Sequence, residues 1–119
     1  MMQVLLVALG GALGSVARYG VGVGAARWLG LDFPWGTLGV NVLGSFAIGV
    51  LAARTHPDQE SWRLLIGVGF LGGFTTFSTF SLESVRLMQQ AFPLAASYIL
   101  ASLVLAFGAC LAGMMLGRT

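Results

Sequence analysis

A chain of 119 residues that is 57% hydrophobic and only 8% charged, with a mean hydropathy of +0.90, is excluded from the soluble globular class, where about a quarter of the residues carry charge. Its six basic residues are all arginines set singly along the sequence, so a pI near 9.3 reflects scarcity of charge, and nothing supports a nucleic-acid partner. A multi-pass membrane protein remains.

Four uncharged segments appear in chain order: residues 4–17 continuing past Arg18 to 26, residues 33–53, residues 64–82 and residues 87–117. Each approaches or exceeds the roughly 20 residues needed to cross a hydrocarbon core about 30 Å thick. The first lacks a basic leader before it, since Met1, Met2 and Gln3 precede it, and it reads as a retained helix rather than a cleaved signal. Residues 54–63 form the one long polar interval and predict a short exposed loop between spans two and three. The expectation is one four-span transmembrane domain over residues 1–119. Cys110 lies in an apolar run and reads as packing.

With four spans, Arg54, Arg63 and Arg118 fall on one side of the membrane. Arg27 and Arg86 fall on the other, and Arg18 is embedded toward them. That balance is too even for the positive-inside rule to fix an orientation, so insertion in both orientations is a live reading beside a simple miscount of charges near span ends. The 18 glycines far exceed a usage of about 7%. Several fall four apart: Gly10 and Gly14, Gly20 and Gly24, Gly69 and Gly73, Gly113 and Gly117. Such spacing lets helices approach closely in lipid. Four spans offer little interior in which to hide polar groups, and a homodimer answers that need better than a monomer.

Residues 71–84, LGGFTTFSTFSLES, carry six hydroxyls at Thr75, Thr76, Ser78, Thr79, Ser81 and Ser84. Bonding back to the carbonyl one turn earlier accounts for one or two of them. Gly72 and Gly73 together with this cluster weaken a helix at mid-membrane, and the third helix is predicted to break there. Irregular backbone at that depth survives only inside protein or along a wet cavity. Half-helices meeting at such a break expose carbonyls suited to a small cation and amides suited to an anion.

Phe74, Phe77 and Phe80 recur every three residues, which places them on one broad helical face. Core packing is the ordinary explanation of such a stripe. Ring edges are electropositive, however, and together with hydroxyl donors suit an anion held weakly enough to leave. Asn41 is an amide in an otherwise apolar span, suited to helix-to-helix bonding or to a pore. Tyr98 and Ser102, four apart, share a face of span four. Arg18 reads as snorkelling to the interface or as an anion-attracting vestibule charge. Glu83 suits pairing with an arginine, capping of backbone groups or contact with a permeating ion.

Three segments carry a family likeness: residues 11–19 (GALGSVARY), 36–46 (GTLGVNVLGSF) and 69–83 (GFLGGFTTFSTFSLE). They closely resemble the signatures of the small bacterial fluoride channels, the Fluc or CrcB family, and the resemblance covers essentially the whole chain. It implies an all-α membrane protein with four transmembrane helices per subunit, the third broken at mid-membrane, in an antiparallel homodimer of dual topology. It also implies passive export of fluoride through the bacterial inner membrane to protect the cytoplasm. Carried over by motif, Phe77 and Phe80 are the pore phenylalanines, Asn41 a pore donor, and Ser78 and Thr79 neighbouring hydroxyls. Tyr98 and Ser102 match the polar track of span four, although Ala106 stands where a further hydroxyl is often found. Arg18 matches the first-span arginine and Glu83 the acid near the track. The carbonyls of Gly72 and Thr75 match a central structural sodium ion shared by both subunits. The expected partners are thus fluoride, sodium, lipid and a second copy of the chain.

A small multidrug transporter is also a four-span dimer, but it needs a membrane-embedded acid, typically in the first span, where this chain has Arg18. A proton-coupled fluoride antiporter is a closer rival, yet no relay of carboxylates or buried histidine is visible, and His56 sits in the polar loop. A purely structural subunit leaves the hydroxyl and phenylalanine cluster unexplained. No nucleophile and base pair or metal-ligand spacing supports an enzyme.

Overall fold

Four helices long and apolar enough to cross a membrane make up nearly the whole chain, in a computed structural model that describes all of residues 1–119. The first span is α1 (Met2–Leu29) and the second is α2 (Trp35–Arg54). The third, Glu60–Gln90, is composite: a short α3 (Glu60–Trp62), a π-helix (Arg63–Leu71), a short α4 (Gly72–Phe74), an interruption at residues 75–77, and α5 (Ser78–Gln90). The fourth span is α6 (Phe92–Gly117). The spans are longer than the uncharged segments suggested because Arg18, Arg27, Glu83 and Arg86 all lie within helices.

Two turns set the topology. Gly30, the only residue at positive φ (86°), ends α1, and its N–H donates to the Ala26 carbonyl at 3.2 Å. A side chain there would meet the steric penalty that glycine escapes. Pro93 occupies the first turn of α6, where a missing N–H costs nothing. A single non-helical residue, Ala91, therefore suffices to reverse the chain.

The helices pair unevenly. The first span packs mainly on the π-helical half of the third, and α2 packs mainly on α6. Glycine makes both approaches. A Cβ on Gly14 would collide with the Phe70 carbonyl, and one on Gly113 with the Phe46 carbonyl. Of the four glycine pairs in the sequence, three are consumed within the chain in this way, whereas Gly20 and Gly24 face open space. Most large apolar side chains point outward, and among large residues only Val40 and Tyr98 are fully enclosed. Such an outward surface suits lipid, where close packing rather than burial from water drives helix association.

The break falls slightly later than the glycines that predict it. Gly72 keeps helical angles (φ −61°, ψ −40°), and the chain leaves the helix at Thr75 (φ −90°, ψ 161°). Helix α5 then restarts at Ser78. The interruption consequently divides the phenylalanine stripe. Phe74 stacks on Phe70 (centroids 5.8 Å apart, planes 18° apart), whereas Phe77, the last residue of the interruption, and Phe80, in α5, lie 5.8 Å from each other.

Candidate functional site

The broken segment is held open by side chains from the first two spans. Asn41 on α2 clasps the Thr76 peptide from both sides: its Oδ1 accepts the Thr76 N–H (2.8 Å) and its Nδ2 donates to the Thr76 carbonyl (2.9 Å). Arg18 on α1 donates from Nε to the Gly73 carbonyl at 3.0 Å. The Thr79 N–H donates to Thr76 Oγ1 at 3.2 Å, a capping contact that starts α5.

These bonds redirect the helical ladder. In a continuous helix the Thr76 N–H would serve the Gly72 carbonyl and the Thr79 N–H the Thr75 carbonyl. Asn41 and the Thr76 hydroxyl take those two donors instead. The carbonyls of Gly72 and Thr75 therefore accept no hydrogen bond, while those of Gly73 and Thr76 are satisfied. Gly72 is exposed and Thr75 half-buried, so both carbonyls face the groove or the bilayer, and a backbone carbonyl at membrane depth calls for a ligand, water or a protein partner.

Both free carbonyls belong to residues lining a groove of about 580 Å³ between α2, the break and α6. Four of the predicted pore residues, Asn41, Phe77, Phe80 and Ser102, line the same groove. Phe77 projects outward with 77% of its surface exposed. Ser102 is its opposite, 6% exposed, with an Oγ enclosed and without a hydrogen-bond partner. A hydroxyl in that condition is a donor waiting for an acceptor.

The remaining predicted residues sit elsewhere. Tyr98 shares the Ser102 face of α6 but is fully buried. Phe80 leans on it at 5.3 Å, and its hydroxyl donates to Glu83 Oε1 at 3.3 Å. Thr79 joins Arg18 and Glu83 around a separate cavity of about 270 Å³ on the first-span side. Ser78 is exposed, and its hydroxyl lies 3.5 Å from that of Thr76. Of the six hydroxyls between residues 71 and 84, Thr75, Ser81 and Ser84 bond back one turn, to Leu71, Phe77 and Phe80. Self-satisfaction thus explains three rather than one or two.

Sequence reasoning missed two participants. The sequence marks Thr76 only as one hydroxyl of a cluster, yet its peptide and its side chain organise the break. Phe33, in the turn before α2, lies edge-to-face on Tyr98 at 5.4 Å and closes that end of the aromatic row. No local pattern marks a loop phenylalanine for such a contact.

Residues 5–114 match the family described as "CrcB-like protein, Camphor Resistance (CrcB)". The chain belongs to the CrcB family. Similar CrcB relatives include proteins named "Fluoride-specific ion channel FluC". That of Agrobacterium fabrum is 53% identical over 122 aligned positions, covering 99% of this chain and 98% of the relative. Those of Caulobacter vibrioides (strain NA1000 / CB15N) and Phenylobacterium zucineum are 51% and 50% identical over 123 positions, each covering 99% of this chain and 97% of the relative. The CrcB likeness therefore extends through all four spans and the break.

Proposed function

We propose that this chain is a fluoride-specific ion channel of the bacterial inner membrane, passing fluoride down its electrochemical gradient and so limiting its accumulation in the cytoplasm. The observation that carries the reading is identity above 50% over 99% of the chain to proteins named for that activity. The groove is consistent with it. Fluoride is small and strongly hydrated, and a conducting site must replace its water without holding it tightly. The unpartnered Ser102 hydroxyl, the second N–H of the Asn41 amide and the edges of Phe77 and Phe80 offer weak donors along one groove, and no lysine or arginine lines it to trap the ion.

In this reading Phe77, Phe80, Asn41 and Ser102 line the ion path. Tyr98 supports Phe80 from behind and couples it to Glu83. Ser78 and Thr79 flank the break, and Arg18 with Glu83 sets the charge of the neighbouring vestibule.

A sodium ion fits the break. The Gly72 and Thr75 carbonyls are neutral oxygen ligands stripped of their donors, the kind of backbone oxygen that coordinates small cations at helix interruptions. When bound, sodium supplies a fixed positive charge at mid-membrane. Two carbonyls are only part of a coordination shell, and a second copy of the chain, antiparallel and meeting this one across the break, would supply two more. The outward-facing Phe77 and the groove open to one side support such a homodimer, and the balanced arginines support insertion in both orientations.

The test is fluoride efflux from proteoliposomes loaded with fluoride and chloride under an imposed potassium diffusion potential. Rapid, voltage-driven fluoride loss with chloride retained is the expected result. Efflux that requires a proton gradient would assign an antiporter instead, and absence of fluoride movement would overturn the reading.

A further inference from the structure

The groove continues past the last hydroxyl of span four. Tyr98 and Ser102 stand four residues apart on α6, and the next position in that series, Ala106, offers the groove only a methyl group. The facing wall belongs to α2, which contributes Asn41 and, one turn on, Ser45; residues four apart share a helical face. The half-buried Ser45 hydroxyl makes no hydrogen bond. Thr55, Thr75, Ser81, Ser84 and Ser97 each donate to the carbonyl four residues back, and Ser45 does not. The carbonyl within that reach of Ser45 is that of Asn41, and the hydroxyl does not take it. Ser45 and Ser102 are thus the two lining hydroxyls left free to serve something in the groove.

Helices α2 and α6 run in the same direction: Gly113 lies against the Phe46 carbonyl and, four residues on in both helices, Gly117 lies against the Val50 carbonyl. At about 1.5 Å per residue, that register carries Ser45 roughly one turn beyond Ala106, toward the end of the bundle that holds residues 55–59. There the groove passes Ile48 and Gly67, which also line a second cavity of about 510 Å³ bordered by His56 and Arg63. Donors therefore follow one another along the axis as Ser102, Asn41 and Ser45, with a cation beyond them.

We propose that Ser45 is a further ion-lining residue. Its hydroxyl donates to fluoride one turn past Asn41, so that α2 continues the track where α6 has run out of hydroxyls, and the ion leaves between α2 and the π-helix toward Arg63. The inference rests on the fluoride reading above. Its chemistry is that of stepwise rehydration: an ion that has shed water in an apolar span needs successive donors until it meets solvent, and a free hydroxyl can turn its proton to an approaching anion.

The experiment compares fluoride efflux from proteoliposomes for wild type, Ser45→Ala and Ser45→Thr, all checked for elution as the wild-type species. Alanine is expected to slow efflux roughly tenfold, the scale of one hydrogen bond to a charged group, and threonine to restore most of the rate. Wild-type efflux with alanine in place overturns the inference, as does threonine no better than alanine, which would assign the position to packing. Should the alanine variant fail to fold, Ser45→Cys in a Cys110→Ala background, which removes the native thiol, decides. Reaction with a trimethylammonium methanethiosulfonate is expected to stop efflux, and undiminished efflux after reaction overturns the proposal. A wild-type protein that moves no fluoride would instead take down the fluoride reading itself.

Discussion

Replacing Asn41 by alanine removes both bonds that hold the Thr76 peptide out of the helix, at 2.8 and 2.9 Å. Interhelical bonds in membranes average about 0.6 kcal/mol each, so the pair is worth at least about 1 kcal/mol. The ceiling is about 6 kcal/mol, if the N–H and the carbonyl both stay buried and unpaired at about 1–3 kcal/mol each. Even the lower figure predicts faster hydrogen exchange at the Thr76 amide, by about fivefold, together with slower fluoride efflux as the break loses its geometry. Asn41→Asp is the sharper perturbation. It keeps an acceptor for the Thr76 N–H but sets a carboxylate oxygen against the Thr76 carbonyl and places a negative charge in the groove, so fluoride efflux is expected to vanish. Amide exchange by mass spectrometry and efflux by fluoride electrode read the two effects separately. Unchanged Thr76 exchange and wild-type efflux in both variants would refute the account of the break.

Phe80→Ile, which removes the ring against Tyr98 and Phe77 while keeping an apolar side chain, is expected to abolish rapid fluoride efflux in the same electrode assay without admitting chloride. Gly113→Val should prevent recovery of folded protein, because its Cβ collides with the Phe46 carbonyl, whereas Gly20→Ala, facing open space, should elute and conduct as wild type; size-exclusion chromatography and efflux distinguish them. Replacing sodium by a bulky organic cation throughout purification should lower the thermal unfolding midpoint, since the Gly72 and Thr75 carbonyls would lose the cation proposed for them. An identical midpoint in both salts would remove sodium from the site.

The four spans and the interruption were legible because lipid imposes a coarse rule: long apolar runs cross, and irregular backbone at depth must be enclosed. The polar loop expected over residues 54–63 shrinks to residues 55–59, because Arg54 ends α2 and the third span already begins at Glu60; polarity marks exposure and not the end of a helix. Asn41 was legible for the same reason, as an amide with few places to go, though whether it served a neighbouring helix or a pore was open. Its clasp on Thr76 answers the first use and leaves one N–H for the second. The π-helix of residues 63–71 was not legible, since Gly67 and Gly69 mark it no differently from any small-residue packing face. Nor was the splitting of Phe74 from Phe77 and Phe80: a spacing of three assumes unbroken helix, and residues 75–77 are not helical. Glycine spacing predicted close approach correctly but not between which helices, because a four-residue motif names one surface and never its mate.

The uneven pairing of the helices has a consequence for synthesis. Spans that are adjacent in sequence are not principal partners: the first waits for the third, and the second for the fourth. A nascent chain with two helices already in the bilayer therefore has neither of its main interfaces. Its glycine grooves, Gly10 with Gly14 and Gly44 with Gly49, face lipid until the later half emerges from the ribosome. At about 5–20 residues per second, that interval lasts several seconds, during which each early helix must be stable alone and must not seize a foreign partner.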